Sequence, residues 1–152
     1  MSEPRETSLL RMDNVGIIVD NLDAVVAFFV ELGLELEGKA TVEGDWVDRL
    51  IALEGVRCDI AMLRTPDGHS RIELSSFHRP RARGTEPNAP VNTLGLRRLM
   101  FAVTDIDEVL ARLRSHGAEL MGDVVQYEDF YRLAYVRGPE GIMIALAQPL
   151  RE

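Results

Sequence analysis

The sequence predicts an α+β protein: two tandem βαβββ modules whose strands form one curved mixed sheet around a cleft. Three observations lead there. The chain repeats itself. Shifted by 84 places, Asn14–Gly38 lies on Arg98–Gly122 without a gap, and eight of 25 positions are identical: Val19/Val103, Asp23/Asp107, Val25/Val109, Ala27/Ala111, Gly33/Gly117, Glu35/Glu119, Leu36/Leu120 and Gly38/Gly122. Each copy runs from an apolar strand through a polar cap into an amphipathic helix and then into strands. Finally, 152 residues with 46% apolar and 28% charged side chains is the size and composition of a single core-forming domain.

Module one spans about 10–77. Strand Asn14–Val19 alternates, so Val15, Ile17 and Val19 face the helix while Asn14, Gly16 and Ile18 face the cleft. Asp20-Asn21 can accept from the free N–H groups that open a helix. Leu22, Val25, Val26 and Phe29 recur at i, i+3, i+4 and i+7, the stripe of an amphipathic helix. Gly33 then suits the left-handed residue that ends it. Strands are expected at 34–42, 48–54, 57–64 and 71–77, with a turn at Pro66-Asp67-Gly68. In the last strand Ile72 and Leu74 pack outward on the helix; Arg71, Glu73 and Ser75 point into the cleft.

A proline-bearing linker, about 78–93, separates the copies. Module two, about 94–148, opens on Arg98–Val103. There Leu99, Phe101 and Val103 face the helix, and Arg98, Met100 and Ala102 face the cleft. Thr104-Asp105 caps a helix striped by Ile106, Val109, Leu110 and Leu113, and Gly117 closes it. Strands follow at 118–127, 131–137 and 142–148, with a turn at Pro139-Glu140-Gly141. Met143, Ala145 and Ala147 point inward.

Charge and cysteine content exclude several classes. Seventeen basic against twenty-five acidic residues give 17 − 25 = −8. Such a chain lacks the basic face that a phosphate backbone or an anionic membrane demands, so neither nucleic acid nor membrane is an expected partner. A lone cysteine, Cys58, allows no intrachain disulfide and no thiolate zinc cluster. Met1–Glu6 is polar, without the apolar stretch of a signal peptide. A cytoplasmic protein is the expectation.

Glu73 and Arg98 are the chemically informative inward residues. A buried lone carboxylate is driven neutral, and a guanidinium beside it holds it charged. The pair therefore reads as a charged anchor for a polar ligand, as a carboxylate base held by an arginine, or as a structural ion pair. Trp46 reads as a flap over the cleft or as packing on an edge strand. His69, His78 and His116 have no metal-ligand spacing, and the helix dipole accounts for His116.

The sequence resembles the vicinal oxygen chelate superfamily, the glyoxalase/bleomycin resistance/dioxygenase group. The resemblance lies in Arg11-Met12-Asp13-Asn14-Val15, Val26-Ala27-Phe28-Phe29-Val30-Glu31-Leu32-Gly33-Leu34, Ile72-Glu73-Leu74, Phe101-Ala102-Val103-Thr104-Asp105-Ile106-Asp107 and Gly138-Pro139-Glu140-Gly141. It covers about 10–148 and is specific for fold rather than for one activity. The resemblance implies four inward metal-ligand positions, which fall here on Asn14, Glu73, Arg98 and Ala145. Only Glu73 fits; Ala145 offers no donor, and Arg98 repels a cation. No cofactor is firmly implied, and a divalent metal is disfavoured. The expected ligand is a small polar or anionic organic molecule contacting Asn14, Arg71, Glu73, Arg98, Met100, Met143, Trp46 and Tyr131. The family places Tyr127, Phe130 and Tyr131 at the cleft mouth. The alternative is a divergent enzyme of lactoylglutathione lyase, epimerase or dioxygenase type, with Glu73 as base or sole ligand. A homodimer is expected from the exposed edges of such modules.

Overall fold

The helices begin where their caps predict. Asn21 accepts from the Ala24 N–H at 3.1 Å, and Asp105 accepts from the Glu108 N–H at 3.2 Å, satisfying donors that the first turn leaves free. The computed structural model describes residues 6–84 and 86–151; the reading of the first five residues falls outside them. In chain order the elements are β1 (Val15–Ile18), α1 (Leu22–Leu32), β2 (Glu35–Glu43), α2 (Asp45–Ile51), β3 (Arg57–Arg64) and β4 (Arg71–Arg79). Then come β5 (Arg98–Ala102), α3 (Ile106–Leu113), β6 (Glu119–Leu120), β7 (Val125–Tyr127), β8 (Tyr131–Arg137) and β9 (Met143–Pro149). Gly33 and Gly117 both take positive φ just past the helical turns, as their positions predict.

The strands form two mixed sheets. One has the order β1-β4-β3-β2; the other has β5-β9-β8-β6, with β7 also on β8. In each, the first strand lies parallel to the last, β1 on β4 and β5 on β9, and the rest are antiparallel. The expected single sheet is thus divided: β1 and β5 end their respective orders and do not pair with each other. Side-chain packing joins the modules instead. Val25, Phe28, Phe29, Leu63 and Leu74 of module one share one core with Ile106, Leu113, Val136, Ile144 and Leu146 of module two. The Phe28 and Phe29 rings meet edge-on at 5.1 Å, and Phe29 reaches Phe101 across the modules at 6.5 Å. Each such side chain contributes about 1.5–3 kcal/mol by leaving water.

Polar contacts fix the docking. The Glu140 carboxylate accepts from Asp20 N–H at 2.7 Å and Asn21 N–H at 2.8 Å, so a turn of module two covers the start of α1. The linker is tied down by Arg137, which donates to the carbonyls of Pro87 at 2.9 Å and Ala89 at 2.7 Å.

Two expected strands are corrected. Residues 48–54 are not a strand; α2 occupies 45–51. Gly44 takes φ 113°, Asp45 and Asp48 favour the first turn, and the Asp48 carboxylate then ties Gly55 N–H and Val56 N–H. Val47, Leu50 and Ile51 lie at i, i+3 and i+4, but the helix buries only Val47 among them, so its apolar content reads equally as a strand. The strand expected at 118–127 is broken into β6 and β7 at Met121–Val124, where Gly122-Asp123 interrupts the ladder.

Candidate functional site

Each sheet has one face in the shared core and one open face, and alternation assigns the predicted site residues to the open faces. On the module-one face, Gly16 pairs with Glu73 and Met62 stands on the other side of it. Glycine leaves the Glu73 side chain open space, since a Cβ at Gly16 meets nothing within 4 Å. Glu73 is partly buried, and no ion pair or hydrogen bond engages its carboxylate among the described residues. Its neighbour Arg71 is occupied: Nε donates to Glu37 at 3.1 Å, and Asp13 lies 4.0 Å away. Asn14 is also engaged, donating its amide to Asp13 at 3.1 Å. That hydrogen bond, and then Arg11, hold the Asp13 carboxyl below its ordinary value.

On the module-two face, Arg98 pairs with Met143 and Met100 with Ala145. The Arg98 guanidinium lies 5.5 Å from the centre of the Tyr135 ring, a cation–π contact that orients it and leaves its N–H groups exposed. Met100 and Tyr131 are exposed; Met143 and Ala145 are buried. Met143 is therefore floor under its neighbours rather than an open contact. Trp46 rides on α2, whose buried Val47 packs over Val56, Cys58 and Phe77 on the module-one open face. Burial pushes the Cys58 thiol up, so it is an inert core group.

The structure does not bring Glu73 and Arg98 into an ion pair; they stand on different sheets. A depression of about 550 Å³ lies between α3, the end of α1 and the Thr65–Ser70 turn, and Met100 is the one predicted ligand residue that reaches it. A second, also about 550 Å³, runs along Val91, Val125, Leu133 and Tyr135 on the module-two face. Tyr135 is the site residue that sequence reasoning missed, along with the linker-binding Arg137 on the same strand. The alternation of Tyr131, Leu133, Tyr135 and Arg137 along β8 would have placed both on the open face.

A divalent metal does not fit the four positions. Asn14 offers at most one amide oxygen, Ala145 has no donor, and Arg98 is a permanent cation. Among the described residues, no group of three or more His, Cys, Asp or Glu side chains is gathered to hold a metal ion. His78 instead meets Asp59 at 2.7 Å, and His116 stands 3.8 Å from Glu31.

Comparison with known proteins places this architecture. Residues 13–135 match the glyoxalase/bleomycin resistance protein/dioxygenase superfamily. A glyoxalase family protein from Bacillus cereus is 55% identical, superposes with a TM-score of 0.93, and is matched over 98% of this chain and all of its own. The protein YaeR of Escherichia coli (strain K12) is 29% identical over 139 residues, 91% of this chain and 95% of its own length. TnmS3, an antibiotic binding protein from Streptomyces sp. CB03234, is 19% identical with a TM-score of 0.59, over 95% of this chain and 99% of its own; at that identity it shows the fold alone.

Proposed function

The chain belongs to the glyoxalase/bleomycin resistance/dioxygenase superfamily, and we propose that within it this protein binds a small polar or anionic organic molecule without the metal centre of metal-dependent members. One observation carries the reading. Where the family's ligands fall, this chain offers an amide, one carboxylate, a guanidinium and a methyl group. Arg98 supplies the positive charge that relatives take from a metal. It is oriented by Tyr135, has no carboxylate partner among the described residues, and presents a planar fork suited to a carboxylate or phosphate oxygen pair.

The second reading, a divergent enzyme of lyase, epimerase or dioxygenase type, draws on Glu73. A carboxylate beside a glycine, with no cation paired to it among the described residues, is free to take a proton from a ligand above the sheet. In either case the protein is read as cytoplasmic and homodimeric, its exposed β1 and β5 edges meeting those of a second copy. No helix among the described residues is long and apolar enough to cross a membrane.

The test is a thermal-shift screen of carboxylic acids, phosphate esters and neutral analogues, repeated on Arg98→Ala and Glu73→Gln. Anionic compounds that stabilise the wild type should lose their effect in Arg98→Ala. Retained stabilisation in that variant overturns the anchor role. Purification without added metal, followed by elemental analysis, tests the rest: one tightly held transition metal per chain overturns the metal-free reading.

A further inference from the structure

The second depression, on the module-two open face, is an apolar slot with a cation at one end. Its floor is β8. Leu133 and Tyr135 point to the open face there, while Ala134 and Val136 enter the shared core. Its outer wall is the edge of the sheet. Val125 pairs with Leu133, and the Met121 N–H donates to the Tyr135 carbonyl at 2.9 Å. Its other wall comes from the linker, through Val91. Arg137 holds that linker over module two by donating to the Pro87 and Ala89 carbonyls. A space of about 550 Å³ is the size of a small-molecule site.

Charge sets the direction of the slot. Tyr135 lines it, and the Arg98 guanidinium, reaching from β5 across β9, lies 5.5 Å from the centre of the same ring. Arg98 is exposed and has no carboxylate partner among the described residues. Asp123 sits beyond β8, in the break between β6 and β7, and is the one charged side chain lining the slot among the described residues. Between the two charges stand Val91, 48% exposed, Val125, 54% exposed, and the partly buried Leu133. An anion is welcome at the Arg98 end, apolar surface in the middle, and a second anion is repelled at the far end.

We propose that the Arg98 anchor serves an organic monocarboxylate with an apolar chain or ring, the carboxylate on the guanidinium and the apolar body in this slot. The linker is then a wall that selects the ligand, and Arg137 is the positioning residue that holds the wall in place. The inference rests on the anion-anchor reading above and names the class of anion.

NMR titration of the full chain with butanoate, hexanoate and octanoate tests it. Affinity should rise about tenfold for each two methylenes added. Hexan-1-ol should bind at least about tenfold more weakly than hexanoate, and octanedioate more weakly than octanoate, because its second carboxylate meets Asp123. Arg98→Ala should weaken all three acids by one similar factor, about tenfold. Val91→Ser with Val125→Ser, at half-exposed positions outside the core, should raise the octanoate Kd about tenfold and move the butanoate Kd by less than about twofold. Arg137→Ala should act in the same length-selective way, which a loss of stability alone would not produce. Acids that bind through Arg98 with one affinity whatever their length, or an octanoate Kd unmoved by the valine pair, overturn the slot and leave the anion anchor standing. Binding unmoved by Arg98→Ala, or no binding of any acid, overturns the anchor and the slot together.

Discussion

Between β2 and β3, module one spends residues 44–56 and places α2 on its open face; between β7 and β8, module two turns through residues 128–130 alone. Elsewhere the inequality reverses. Module two has the linker strapped across it by Arg137, while the outer strands of module one are held by exposed ion pairs such as Arg64–Glu35 at 2.9 Å and Arg57–Glu43 at 3.3 Å. The shared strand–helix–strand plan is kept by packing in one core. What covers the open face is free to diverge, since it contributes little to that core. One module thus presents a carboxylate and an inserted helix, and the other an arginine over a tyrosine ring beside a strap.

Equivalent changes in the two modules should therefore have unequal effects. The largest difference is expected at the matched turn glycines. Gly141 has φ +81°, and a Cβ there would clash with the Pro87 backbone; Gly68 has φ +76° with nothing within 4 Å. Gly141→Ala combines backbone strain with a backbone clash and should cost about 3 kcal/mol or more, against about 1 kcal/mol for Gly68→Ala, read from urea midpoints. Equal losses would show that the linker does not press on that turn.

Next come the arginines. Arg137→Ala strands the linker carbonyls of Pro87 and Ala89 and should cost about 2 kcal/mol. Arg64→Ala removes a solvent-screened pair and should cost below ~1 kcal/mol. Chemical denaturation of both variants at low and high salt separates them, because only the second should fade with salt.

The cap that crosses the modules should fall between. Glu140→Ala leaves the Asp20 and Asn21 N–H groups without their carboxylate and should lower stability by about 1 kcal/mol. Asp105→Ala, which removes the cap within module two, should cost a similar amount. A much larger effect of Glu140→Ala on melting would mean that the turn also sets the angle between modules.

The smallest expected effect is a pH dependence at Asp59. Its hydrogen bond from Thr41, and then His78, hold the carboxyl below its ordinary value of 3.8. A carboxyl lowered in the folded state contributes stability that is present above the ordinary value and is lost as pH falls through the folded one. Asp59→Asn should therefore cost a few tenths of a kcal/mol at pH 7, given how exposed the group is, and nothing once the pH is well below 3.8. A penalty that persists in strong acid would assign the residue a packing role instead.

The sequence carried the repeat, both caps, both helix stripes, the terminating glycines and the inward alternation of Arg71, Glu73, Arg98 and Met100. All of these are local and periodic, so they survive in one dimension. It misplaced 48–54 because Val47, Leu50 and Ile51 suit a helix stripe as well as a buried strand, and only contact with Phe77 and Cys58 decides between them. It also left Tyr135 and Arg137 unremarked, since their roles depend on what lies across the sheet.

By itself, then, the sequence determined two homologous modules of one topology, and the inward alternation that sets a carboxylate, Glu73, in one and a guanidinium, Arg98, in the other. The tertiary structure alone decided that the modules meet through a shared core without backbone pairing between sheets, that Glu73 and Arg98 stand apart, and that the linker crosses module two. The reason is physical. Local patterns fix which face of a strand is apolar, but the docking of two finished faces depends on side-chain volumes and a few long-range hydrogen bonds, such as Glu140 to the start of α1, that no spacing along the chain encodes.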